Sequence, residues 1–168
     1  MAETEIVIRA ASIADEPFLW EMLYQALYVP EGSPPFPREI VRQPELGRYV
    51  EGWGRPGDVG LIAESEGRPI GAAWLRRSRE GDHGYGYVND ATPELSMAVR
   101  PEWRSRGIGS RLLGELLQQA VDRYPAVSLS VSADNPALRL YERHGFEVFR
   151  ASGGSLTMVR DFTASRSQ

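Results

Sequence analysis

A chain of 168 residues, 42% apolar and 25% charged, is long enough for one domain with a sizeable core, and its apolar runs are too short to span a bilayer. It contains no cysteine and no lysine, all 19 basic residues being arginine, which excludes disulfides, thiolate metal sites, a cysteine nucleophile, the P-loop lysine and a Schiff-base lysine. A net charge of −4 without a basic stretch makes nucleic acid a poor partner, and His83 and His144 alone do not make a histidine-rich metal centre, so no metal is expected.

Ile6–Ile8 reads as a first strand. Ser12 and Asp15 have the spacing of a capping box, and Phe18, Leu19, Met22, Leu23, Ala26 and Leu27 follow at helical spacing. Pro30–Pro37 breaks that helix, and a second, weaker helix is predicted across Arg38–Trp53, interrupted or restarted at Pro44. Val59–Glu64, a turn at Glu66-Gly67-Arg68 and Pro69–Leu75 form a hairpin pattern. Ser78–Asp90, polar and glycine-rich, reads as a mobile loop, and Leu95–Val99 as a buried strand.

The clearest amphipathic signal is the stripe Ile108, Leu112, Leu113, Leu116, Leu117, Ala120 and Val121 of a long helix. A strand over Val127–Val131 follows, then a helix opened by Asn135-Pro136 and closed by Gly145, then strands over Phe146–Arg150 and Ser155–Arg160. The order is that of a mixed α/β domain with an antiparallel front and a parallel crossover around the long helix. One domain over about 4–162 is expected, with 163–168 as a flexible tail. No charged-then-apolar leader opens the chain, which makes the cytoplasm the default location and leaves a membrane out.

Between the buried strand and the long helix lies Arg100-Pro-Glu-Trp-Arg-Ser-Arg-Gly-Ile-Gly-Ser110. Glycines at 107 and 109 leave no side chain between amide and ligand, and the first helical turn offers unpaired N–H groups with the positive end of the helix dipole. A pyrophosphate can be held there without lysine, with Arg104 and Arg106 adding charge. A tight strand-to-helix turn needing glycine only for its geometry has the same pattern. Neither better-known phosphate motif fits, since Gly-x-x-x-x-Gly-Lys is missing and Leu112 stands where a dinucleotide fingerprint needs its third glycine.

Arg104-x-x-Gly107-x-Gly109 resembles the Gln/Arg-x-x-Gly-x-Gly/Ala signature of the GNAT superfamily of acyl-CoA-dependent N-acyltransferases. Asn135-Pro136-Ala137 and Leu140-Tyr-Glu-Arg-His-Gly-Phe146 are similar to a second segment of that family, so the close likeness covers roughly residues 92–149. The resemblance implies a central mixed sheet, splayed between the fourth and fifth strands and flanked by helices. It also implies acetyl-CoA as cosubstrate and direct acetyl transfer to a primary amine of a small molecule or peptide in a ternary complex, the protein being a monomer or homodimer.

The resemblance further implies that backbone groups of Met97, Ala98 and Val99 meet the pantetheine, and that Ser105, Arg106, Gly107, Ile108, Gly109 and Ser110, with Arg104, take the pyrophosphate. It makes Asn135 a contact of the pantetheine arm, Tyr141 the acid for the departing thiolate and Glu94 the general base. Each has a plainer reading: Asn135 as N-cap, Tyr141 as core aromatic, Glu94 as a solvated strand-end charge. Tyr28, Phe36, Tyr85 and Tyr87 are candidate acceptor-lining residues, and Glu31, Asp82, Asp90 and Glu94 would suit a cationic amine. The other function class compatible with the phosphate motif is a catalytically idle acyl-CoA-binding sensor or interaction module.

Overall fold

The computed structural model describes residues 5–163, so residue 4 and nearly all of the expected tail at 163–168 lie outside the described residues. Strand β1 (Ile6–Ala10) leads through the Ser12–Asp15 capping box into helix α1 (Glu16–Gln25). Arg9 clamps that entry with two 2.8 Å bonds to the Asp15 carboxylate, which holds Asp15 below the usual carboxylate range. Leu19, Met22 and Leu23 of α1 are buried at the expected spacing. The helix stops two residues earlier than its apolar pattern, because Leu27 N–H bonds back to Tyr24 in a tighter turn.

The weak helical pattern of Arg38–Trp53 resolves into a 3₁₀ turn, Arg38–Arg42, and a single-turn helix α2 (Pro44–Gly47) restarted at Pro44. Strands β2 (Val59–Ser65) and β3 (Arg68–Arg76) form a hairpin through Glu66 and Gly67, both at positive φ (51° and 76°), as a two-residue primed turn requires. Strand β4 (Glu94–Val99) pairs with β3 along its whole length, from Arg76↔Glu94 to Gly71↔Val99.

Helix α3 (Ile108–Ala120) crosses from β4 to the parallel strand β5 (Ala126–Ser132). Helix α4 (Leu138–Arg143), β6 (Glu147–Ser152) and β7 (Ser155–Asp161) complete the chain. The seven strands form one mixed sheet in the order β1-β2-β3-β4-β5-β7-β6. Helix α4 begins three residues after Asn135, because Asn135 first organises a turn in which its Oδ1 and its carbonyl accept from Ala137 and Leu138.

Apolar cores form on both faces of the sheet. On one, Ile108, Leu112, Leu113, Leu116 and Leu117 of α3 pack on Leu95 and Val99 of β4 and Val127, Leu129 and Val131 of β5. On the other, Leu19, Met22 and Leu23 of α1 pack with Ile62, Ala72, Trp74 and Ala98. The alternation along β4 therefore sends Leu95, Met97 and Val99 toward α3, and Glu94, Ser96 and Ala98 toward α1. Among the described residues no helix is long and apolar enough to cross a membrane.

Candidate active site

Strands β4 and β5 are paired at a single position, Glu94↔Ser128. Past Glu94 they part, so the β5-facing edge of Leu95–Val99 is left without a strand partner. At the far end of β4 the chain turns into α3. There Ser105 (φ 64°) and Gly107 (φ 80°) adopt the left-handed conformation, costly for serine and ordinary for glycine. Among the described residues the backbone N–H groups from Ser105 to Ser110 have no hydrogen-bond partner, whereas those of Arg104 and Arg111 bond to Pro101 and Gly107. A row of unspent donors at a helix start is an anion site in chemical terms.

Arg104 is exposed, and its Nε donates to the Val99 carbonyl at 3.0 Å and its Nη2 to the Gln25 carbonyl at 3.2 Å, so it also stitches the turn to β4 and α1. Arg106 lies over the Trp103 ring and donates to the Glu102 carbonyl. The Val99 carbonyl is therefore already engaged, leaving its N–H and the backbone groups of Met97 on the free edge, whereas Ala98, two residues before the Arg100 N–H that donates to Ile70, turns its backbone groups toward β3.

Helix α4 closes over the same region. A Cβ on Gly109 would lie 3.3 Å from Met97 Cε and 3.7 Å from Leu140 Cδ2, so β4, α3 and α4 converge on that glycine. His144 Nε2 lies 3.0 Å from Ser110 Oγ and ties the end of α4 to the start of α3. Burial and the neighbouring Arg143 hold the His144 imidazole below its usual pKa. Tyr141 packs against the core edge-on to Phe146, and its hydroxyl has no partner among the described residues. Burial pushes that phenol up to about 12. Asn135 spends its side-chain oxygen on the Ala137 N–H.

Glu94 is not a solvated strand-end charge: it is 4% exposed. Its carboxylate accepts from the Tyr49 hydroxyl at 2.9 Å and the Gly86 N–H at 3.0 Å, while the Tyr49 oxygen accepts from the Tyr85 N–H at 2.8 Å. Desolvation raises the Glu94 pKa and outweighs the lowering by those two donors and by Arg48. The same burial and the facing carboxylate raise that of Tyr49. The loop expected to be mobile lies against this group. A Cβ at Gly84 would run into Glu94 Oε1 and the Tyr49 hydroxyl, and one at Gly86 would come within 2.7 Å of the Leu129 backbone, so both glycines serve close approach.

The candidate acceptor residues divide between two loops. Tyr28 and the 39%-exposed Phe36 lie in the segment between α1 and α2, where the Phe36 carbonyl accepts from Tyr24. Tyr85 and Tyr87 lie in the loop between β3 and β4. Tyr85 is largely exposed, and Tyr87 stacks on His83 with ring centroids 3.6 Å apart and donates to Asp90. Asp82 pairs with Arg48. No ring contact joins the two loops among the described residues. Tyr49 was beyond sequence reasoning, since its link to Glu94 spans 45 positions.

Residues 19–146 match the acetyltransferase (GNAT) family. The chain belongs to that family. The mycothiol acetyltransferase of Clavibacter sepedonicus is 33% identical to it over 120 residues, covering 65% of this chain and 36% of that protein. The chain thus spans about a third of the length of the curated relatives it matches. Among solved structures, the ribosomal-protein-alanine N-acetyltransferase of Brucella melitensis superposes with a TM-score of 0.63 at 26% identity, over 92% of this chain and 99% of that one. The fold is shared by Salmonella typhimurium yncA, solved with its cofactor acetyl-CoA, at a TM-score of 0.67 and 22% identity, with 95% of each chain covered. The GNAT chain described here has their central mixed sheet with its parallel β4–β5 pair.

Proposed function

We propose that this GNAT chain transfers an acetyl group from acetyl-CoA to a primary amine of a small molecule or peptide, in one step within a ternary complex. The observation that carries the reading is the run of unpartnered N–H groups from Ser105 to Ser110, at the open end of a strand whose outer edge is free beyond Glu94. A pyrophosphate satisfies the first and the amides of a pantetheine arm satisfy the second. A backbone N–H of that free edge is suited to polarise the thioester carbonyl.

In the transfer, the amine lone pair forms a C–N bond at the thioester carbonyl carbon as the C–S bond breaks. The proton lost by the amine goes to the Glu94 carboxylate, directly or through a water, and the departing thiolate takes one from the Tyr141 hydroxyl. Burial keeps Glu94 basic for a carboxylate, and Tyr141 has a hydroxyl with no competing partner among the described residues. Cysteine is absent, so the most nucleophilic covalent acyl carrier is missing, in keeping with direct attack. No step needs a metal.

Tyr141→Phe tests the reading, because it keeps the ring against Phe146 and removes only the hydroxyl. Turnover at saturating acetyl-CoA, where chemistry limits the rate, is expected to fall by roughly 10²–10⁴-fold, with acetyl-CoA affinity and melting temperature nearly unchanged. Unchanged saturated turnover would sink the assignment. A wild-type protein that binds acetyl-CoA but turns over no amine in a broad panel would instead be a binding module.

A further inference from the structure

At the Glu94 end of β4, a cleft of about 390 Å³ is lined by Arg55, Arg77 and Arg79 together with Asp58 and Asp90. A small cavity lined by the same three arginines reaches Glu94 and Tyr49, so the cleft adjoins the buried carboxylate. The acids of the cleft are committed. Asp58, 4% exposed at its side chain, is held by Arg76 at 2.7 Å and 3.0 Å and accepts from the Gly54 and Arg55 N–H groups. Asp90 accepts from the Tyr87 hydroxyl at 2.6 Å, and Asp82 pairs with Arg48. The cations are not: among the described residues Arg55, Arg77 and Arg79 have no ion pair. Among the described residues the Arg55 side chain donates only to the Arg77 carbonyl, and desolvation with the positive charge of Arg76 and Arg79 lowers its pKa against the opposing pull of Asp58 and Asp82.

We propose that the acceptor amine carries an anionic group, a carboxylate or a phosphate, which Arg55, Arg77 and Arg79 receive while its amine is directed toward Glu94. Three guanidiniums gathered around one cleft with no ion pair of their own repel one another, a repulsion that Asp58 and Asp82 only partly offset at Arg55, and a carboxylate or phosphate relieves it by accepting from paired N–H donors. The location fits the acetyltransferase reading, on which this inference rests. Five steps of β4 separate Glu94 from Val99, roughly 17 Å at about 3.3 Å per residue, so the cleft lies at the opposite end of the strand from the pyrophosphate turn. Coenzyme and acceptor anion then occupy separate ends, with the reacting atoms between them. This adds an anion-binding element to the sequence-based expectation that Glu31, Asp82, Asp90 and Glu94 suit a cationic amine; of these acids Asp82 pairs with Arg48 and Asp90 accepts from Tyr87.

Two measurements on the full chain decide it. In the first, succinate and inorganic phosphate are titrated calorimetrically into protein saturated with coenzyme A, at ionic strength held constant with sodium chloride. Saturable binding of at least one is expected, weakened tenfold or more in an Arg77→Gln/Arg79→Gln double variant that melts normally and binds acetyl-CoA as the wild type does. In the second, amino acids are compared with their C-terminal amides as acceptors, with aminoalkyl phosphates against the parent amino alcohols. The anionic member of a pair is expected to have the higher kcat/KM by about tenfold or more, and the double variant to lose that preference. Anion binding equal in the two proteins overturns the proposal. So does anion binding without any acceptor preference, which would make the arginines a free-anion site. Failure of coenzyme A to bind overturns the acetyltransferase reading instead, and the calorimetric arm is then read on the free protein.

Discussion

The two ends of β4 are built on opposite principles. At Val99 the chain leaves the sheet into a turn whose N–H groups are unspent and whose surface is exposed. At Glu94 the side chain is sealed, its carboxylate matched to Tyr49 and Gly86, and the next-door Arg76 locked to Asp58 and to the carbonyls of Arg48 and Glu51. The open end presents backbone, which any side chains can flank. The sealed end depends on particular side chains from four segments meeting. A binding function tolerates the first design, whereas a proton-transfer function needs the second, because burial makes a carboxylate more basic than it is in water.

The largest effect is expected where the sealed end is opened. Asp58→Ala leaves the 3%-exposed Arg76 guanidinium without its counter-ion, which costs about 3–5 kcal/mol for a buried pair broken from one side. Chemical denaturation measures it, and a loss below about 1 kcal/mol would show that water reaches Arg76.

Next comes Glu94→Gln, expected to cut turnover at neutral pH by at least roughly 10²-fold while acetyl-CoA affinity holds, since the change removes the base and keeps an oxygen for Tyr49 and Gly86. Because the folded-state pKa of Glu94 is raised, its protonated form is favoured by folding. That contribution is present below the ordinary glutamate pKa and is lost as pH rises through the raised value. Activity should therefore rise with pH through that same raised value as the base ionises, and the wild type should lose stability relative to the variant over the same window. Parallel pH profiles of turnover and melting temperature for the two proteins check both halves, and identical melting profiles would refute the coupling.

The open end should respond mainly in affinity. Gly107→Asp combines a side chain at φ 80° with a negative charge where the pyrophosphate is proposed to sit. Acetyl-CoA affinity is expected to fall by about 10²-fold, equivalent to the ~3 kcal/mol of one or two lost charge-assisted hydrogen bonds with repulsion added. Global stability should fall by only about 1–2 kcal/mol, from the strain of a side chain at φ 80°, because a Cβ at Gly107 meets nothing within 4 Å. Calorimetry and melting curves on the same sample make the comparison, and equal affinity would move the phosphate site elsewhere.

The same contrast explains what the sequence made legible. The α3 stripe, the glycine turn and the Glu66-Gly67 hairpin are written in neighbouring residues, whose periodicity and φ requirements are local. So is the Ser12–Asp15 box, whereas the separation of β4 from β5 came only as an implication of the family resemblance. The partners of Glu94 were not legible: Tyr49 is 45 positions away, in a stretch with no regular pattern, and Arg76 meets Asp58 across 18. Nor did the sequence show that Arg104, still exposed, also donates to the Val99 and Gln25 carbonyls.

The single register pair joining β4 to β5 has a mechanical consequence. Strands β1 to β4 form one plate and β5, β7 and β6 another, each laced internally by antiparallel ladders of five or more register pairs. Across the seam the backbone offers almost nothing, so helix α3 and the side chains beneath it act as the hinge pin. A coenzyme bonded to both walls would serve as a removable rivet, adding RT ln(1 + [L]/Kd) to the stability of the assembled sheet, about 2.7 kcal/mol at a hundredfold excess over Kd. Amide exchange should then slow most along the facing edges of β4 and β5 when the rivet is in, and least at the outer strands β1 and β6.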